Sequence, residues 1–245
     1  MQASMNGWQL LGLIIASALL WIGYVRFKDR HQPEPPWRLV FAFALGILAW
    51  ALALLGYKTL DALQVPDIKF NERLWTALYC FGIVGPLEEG AKVLLAYLFV
   101  FRWREYDEPM DGFVYAASLS LGFASAENFY CTTGSGWLYQ LGYAVALPIA
   151  HVLFSAIWGL GIGHAQFCVS RRSRRILWQI GSVALAMFAH GLYDFILYAY
   201  QAAFATSGLV LVLWVFAVWR LGLLRKRALA AMPAQARQDQ PAPRA

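Results

Sequence analysis

Charge is scarce in this sequence: Asp, Glu, Lys and Arg make up 14% of the 245 residues, against 60% hydrophobic. Soluble domains carry roughly a quarter charged residues, so this balance excludes a water-soluble fold. The formal net charge of +6 would point to a nucleic-acid partner in a soluble protein. In a membrane protein the same basic residues set orientation instead, and no nucleic-acid partner is expected. Cysteine is nearly missing. Cys80, Cys131 and Cys168 each fall inside an apolar segment and lack metal-ligand spacing, so they are expected to be small hydrophobic filler. A His-Glu-x-x-His helix is also missing, as is any internal repeat. No Lys or Arg precedes Arg26, so the basic leading region of a signal peptide is absent. Ala16-Ser17-Ala18 imitates a cleavage site, but a retained first helix is the expectation.

What the sequence does have is long apolar runs. Crossing a hydrocarbon core about 30 Å thick takes roughly 20 apolar residues in a helix. Such stretches occur at Trp8–Val25, Leu39–Tyr57, Leu74–Phe101, Gly112–Cys131, Tyr143–Val169, Ile176–Tyr200 and Phe204–Leu224. Lipid leaves no partner for open backbone groups, so these predict an all-α, polytopic transmembrane bundle of about seven helices. The third stretch contains Gly82, Gly85 and Pro86, which predict a kink or break just before Glu88. The helical unit is expected to span residues 1–227. Residues 228–245, rich in Ala, Gln and Pro, read as a disordered cytoplasmic tail.

Loop charges set the orientation. Arg26, Lys28, Arg30 and Arg38 lie between the first two stretches, and Arg102 and Arg104 follow the third. Arg171, Arg172, Arg174 and Arg175 follow the fifth, and Arg225, Lys226 and Arg227 the seventh. The alternate loops hold only Lys58, Lys69 and Arg73. Basic residues gather on the cytoplasmic side, so the N-terminus is expected outside and the C-terminus inside a multi-pass plasma-membrane protein. Trp8, Trp37, Trp75, Trp103, Trp137, Trp178 and Trp219 lie near the expected helix ends, as interfacial anchors do.

Within the apolar stretches stand Glu88, Glu89, Lys92, Glu127, Asn128, His151, His190 and Asp194. An Asp or Lys at a helix centre costs about 2.5–3.5 kcal/mol to insert, so the five ionisable groups other than histidine would cost on the order of 10 kcal/mol facing lipid. That rivals the whole stability of a domain, about 5–15 kcal/mol, so they must face one another. Glu88 and Lys92 are four apart, as are His190 and Asp194, and each pair shares a helix face. Glu127 and Asn128 follow a run of Ala, Ser and Gly that lets helices approach closely. Given the orientation, four helices carry these groups at the middle or in the outer half of the membrane. Four carboxylates face a single Lys, so either some are protonated or a divalent cation is present. Two histidines and several carboxylates suit zinc, and the metal question stays open at this point.

These residues resemble the PrsW family of membrane-embedded proteases, distantly similar to the CAAX-prenyl endopeptidase and bacteriocin-immunity group. The resemblance covers roughly Gly85 to Phe195. It rests on Glu88-Glu89-Gly90-Ala91-Lys92 and on Asp111-Gly112-Phe113-Val114-Tyr115 leading into Gly122-Phe123-Ala124-Ser125-Ala126-Glu127-Asn128. The His151-Val152-Leu153-Phe154-Ser155-Ala156 and His190-Gly191-Leu192-Tyr193-Asp194 segments complete it. Two positions depart from the pattern: Leu147 stands where an aromatic residue is common, and Asp194 where relatives carry Asn. The resemblance implies cleavage of membrane-anchored regulators such as anti-sigma factors.

As a protease site, the cluster assigns Glu88 as general base, with Glu89 assisting and Lys92 tuning the pair. His151 and His190, with Glu127 as a further ligand, could hold a divalent metal, or the histidines could donate directly to an oxyanion. Asn128 and Asp194 act as supporting groups, Asp194 orienting His190. The competing classes are a proton- or cation-coupled transporter, which commonly shows repeats and paired broken helices, and a non-catalytic immunity or binding scaffold.

Overall fold

The computed structural model describes residues 4–29, 32–68, 72–201 and 203–231. Seven long helices and no strand occur among them. The first two are Gly7–Lys28 and Pro36–Ala62. The third is continuous from Arg73 to Leu98 but passes through a π turn at Cys80–Val84. The remaining four are Asp111–Thr132, Trp137–Cys168, Arg172–Tyr200 and Ala203–Ala231. The fifth starts six residues before the expected Tyr143, and the seventh runs four residues past Arg227. The expected tail beyond Ala231 lies outside the described residues. The first, second, fifth and sixth helices are long and apolar enough to cross a membrane on length and composition. Leu19, Leu20, Val40 and Leu177 are exposed on the bundle surface, as a lipid solvent requires.

The fourth helix is the axis of the bundle. It is buried almost from end to end, so its many Ser, Gly and Ala residues serve close packing in place of lipid contact. A Cβ added at Gly122 would lie 1.9 Å from the Phe43 carbonyl oxygen, and one at Gly46 1.8 Å from that of Leu119. Backbones of the second and fourth helices therefore touch, which only glycine allows. Gly112 and Gly159 do the same between the fourth and fifth.

Pro148 lies inside the fifth helix and has no N–H for the Ala144 carbonyl. Ser17 Oγ of the first helix donates to that oxygen at 2.6 Å, so the residue that imitates a cleavage site satisfies a carbonyl freed by proline. Cys80 is buried as expected, whereas Cys131 and Cys168 are exposed, because both fall at helix ends where fewer neighbours cover them. On the loop side, Asp29 ends the first helix, is buried, and accepts from the Glu34 N–H at 3.1 Å.

Candidate active site

The kink expected before Glu88 takes the form of the π turn, which widens the third helix by one residue where it meets the sixth. Glycine again permits the contact. A Cβ on Gly85 would meet the Met187 carbonyl at 2.2 Å, and one on Gly191 the Cys80 carbonyl at 2.6 Å. This backbone-to-backbone seam flanks Glu88 and Glu89 on one side and His190 on the other, and so brings residues about a hundred positions apart into hydrogen-bonding range.

Glu89 is fully buried and saturated. Its Oε1 accepts from Lys92 Nζ at 2.7 Å and from His190 Nδ1 at 3.1 Å. Oε2 accepts from Ser155 Oγ at 3.0 Å and Trp158 Nε1 at 2.9 Å. Four donors compensate the desolvation of one carboxylate, as a charge in hydrocarbon demands. Glu88 is the opposite case. Its Oε1 accepts from Tyr57 Oη at 2.9 Å, but Oε2 is buried and makes no hydrogen bond. That free oxygen faces His190 Nε2 at 3.7 Å.

The histidines are held by their neighbours. His190 Nδ1 donates to Glu89, and its Nε2 faces Glu88 Oε2 at 3.7 Å and Asp194 Oδ2 at 3.5 Å. Lys92 Nζ donates to His151 Nδ1 at 2.8 Å, which places that ring's proton on Nε2. His151 Nε2 lies 2.8 Å from Glu127 Oε2; the pair is within ion-pair distance but lacks hydrogen-bond geometry, and that oxygen has no hydrogen-bond partner. Phe123 and Phe154 pack against the two rings, and the ammonium of Lys92 sits 4.1 Å from the centre of the Phe123 ring.

Glu88, Glu89, Lys92, Glu127, His151, His190 and Asp194 thus share one cluster. Asn128 does not join it through any hydrogen bond to these groups; its Oδ1 accepts from Thr132 Oγ1 of its own helix. The His164 ring packs against Trp178. Sequence reading missed Tyr57, Ser155 and Trp158. The last two fall four and seven residues after His151 on the same helix face, a signal open to inspection. Tyr57 had none, since it sits in the second helix, which carries none of the expected site residues.

Glu88, His151 and His190 each offer one ligand atom, and the three atoms lie within 4.8 Å of one another. The unpartnered Glu88 Oε2 and the His190 ring anchored on Glu89 suit a divalent ion, while His151 would first have to exchange its Lys92 contact. Glu127, expected as a further ligand, is not part of this convergent trio, and its Oε2 lies 2.8 Å from His151 Nε2.

Comparison with known proteins identifies the family. Residues 34–221 match the family described as PrsW family intramembrane metalloprotease. The chain is 32% identical to Protease PrsW of Geobacillus kaustophilus over 233 residues, covering 93% of this chain and 99% of that protein. Against Protease PrsW of Bacillus subtilis the identity is 31% over 76% of this chain and 81% of that protein. Against that of Clostridioides difficile it is 26% over 86% and 87%. No solved structure matches. The chain therefore belongs to the PrsW family and is an intramembrane protease acting on protein substrate.

Proposed function

We propose that the protein cleaves a membrane-anchored regulatory protein, such as an anti-sigma factor, and that Glu88 is the residue on which hydrolysis turns. One observation carries this: Glu88 Oε2 is a buried carboxylate oxygen without a hydrogen-bond partner that faces an imidazole nitrogen and, unlike the equally unpartnered Glu127 Oε2, Glu88 belongs to the trio with His151 and His190 whose ligand atoms converge within 4.8 Å. Glu88 Oε2 takes the proton from water, the resulting hydroxide adds to the scissile carbonyl, and the same carboxyl returns the proton to the leaving amine. Tyr57 holds the other oxygen of Glu88 and so aims the reactive one. Glu89 positions His190 and Lys92, and Lys92 fixes His151 with its Nε2–H on the side of Glu127, where it can donate to a tetrahedral oxyanion that takes the place of the Glu127 contact. Asp194 limits how the His190 ring can turn. In the alternative, Glu88, His151 and His190 would hold a divalent ion such as zinc in place of these proton roles, and the ion would supply Lewis-acid polarisation of water or carbonyl.

The loop charges support a plasma-membrane protein with its N-terminus outside and its C-terminus in the cytoplasm, with the site at the middle to outer half of the bilayer. The test is cleavage of a panel of tagged single-span proteins by purified enzyme, with bound metal quantified by elemental mass spectrometry. Glu88→Gln should lower the rate roughly 10²–10⁴-fold at unchanged protein level. A well-expressed Glu88→Gln protein that cleaves at the normal rate would sink the assignment.

A further inference from the structure

Away from the cluster, a groove of about 470 Å³ runs between the fifth, sixth and seventh helices. That volume is within the range of ligand sites, about 300–1,000 Å³. Its walls are aliphatic and aromatic, including Leu160, Leu185 and Phe216. Trp178, Trp219 and Arg220 line it as well, and Arg220 is its one charged residue. Arg220 is half-buried within an apolar stretch and has no ion-pair partner among the described residues. Fewer than two helical turns from Trp178, the exposed Arg171, Arg172 and Arg174 open the sixth helix.

We propose that this groove is a binding site for an anionic phospholipid, its acyl chain along the aliphatic wall and its phosphate on Arg220. Charge selects this occupant. A transmembrane helix in the groove would carry its own basic flank to the cytoplasmic level, the level at which Arg171–Arg175 lie, and would meet like charge. A second copy would bring the same arginines. An anionic headgroup brings the opposite sign, and tryptophans at this depth suit the headgroup boundary. An arginine left unpaired among apolar side chains is costly, and a lipid phosphate supplies its counter-ion.

Native mass spectrometry of the detergent-purified full chain, with palmitoyl-oleoyl phosphatidylglycerol and phosphatidylcholine added in competition, tests this directly. One retained phosphatidylglycerol is expected. Arg220→Gln should weaken its retention about fivefold, the worth of one basic residue at a membrane surface. Gly181→Leu should abolish it by filling the groove: a Cβ at Gly181 meets nothing within 4 Å, so the helix itself accommodates the change. Gly12→Leu, on an equally open glycine of the first helix, should leave the adduct intact. Should Arg220→Gln fail to fold, Gly181→Leu alone decides. Equal retention of the two lipids, or an undiminished adduct in Gly181→Leu, overturns the proposal. If Gly181→Leu removes a dimer or a bound single-span peptide while the lipid adduct persists, the groove belongs to a protein partner and the lipid assignment falls.

Discussion

At the scale of single residues, adjacent Glu88 and Glu89 are made unlike by their neighbours. Glu89 has four donors and no free valence, so it can position but has nothing left to react with. Glu88 has one donor, Tyr57. A hydrogen bond to a charged group is worth about 1.5–3 kcal/mol, so Tyr57→Phe should cut kcat about tenfold or more while KM stays within about twofold. A purely structural tyrosine would instead change protein yield and melting and leave kcat of the folded fraction intact. A second residue-scale prediction lies outside the membrane. Burial raises the Asp29 carboxyl from 3.8 to about 7, against the lowering effect of the Glu34 N–H. The folded state therefore holds a proton that the unfolded state has lost. Its stabilising effect is full below pH 3.8 and is lost as pH rises to about 7. Asp29→Asn keeps an acceptor for Glu34 and removes the titration. Melting in detergent should fall less steeply between pH 5 and 7 for the variant than for the parent; identical slopes would refute the assignment.

At the scale of helices, glycine decides which faces meet. The run of small residues from Ala116 to Ala126 announced close packing, and the seam between Gly46, Leu119, Gly122 and Phe43 realises it. An exposed helical Gly→Ala change gains up to about 1 kcal/mol. At Gly122 the added methyl would strike a backbone carbonyl, and overpacking of this kind costs about 1–3 kcal/mol. Gly122→Ala should therefore lower the melting temperature, and Gly12→Ala, with open space around it, should hold or raise it. Equal melting of the two would mean that the helices slide apart freely. The break in the third helix was legible from Gly82, Gly85 and Pro86, but its form was not. A π turn is chosen by what the helix packs against, here the backbone around Met187 and Gly191.

At the scale of the whole molecule, the membrane acts as the solvent. Exposed Leu and Val cover the outside, and the ionisable groups converge within. Orientation then follows from loop charge. With native Cys131 and Cys168 replaced, single cysteines at Ser135 and Ser173 should label from opposite sides of sealed vesicles, Ser135 from outside. Labelling of both from one side would contradict the seven-helix path between them.

Composition, spacing and motifs alone determined the solvent, the number of helices, the family and the ionisable residues that gather in the cluster. Insertion cost and helical period act on composition and local spacing, which are written along the chain. The division of labour inside the site came only from the tertiary structure. Glu88 and Glu89 differ by one position and about 100° around a helix of 3.6 residues per turn. That angle turns one toward Tyr57 of the second helix and the other toward Ser155 and Trp158 of the fifth. Those partners lie 31, 66 and 69 residues away, and no local pattern records which of them a side chain will meet.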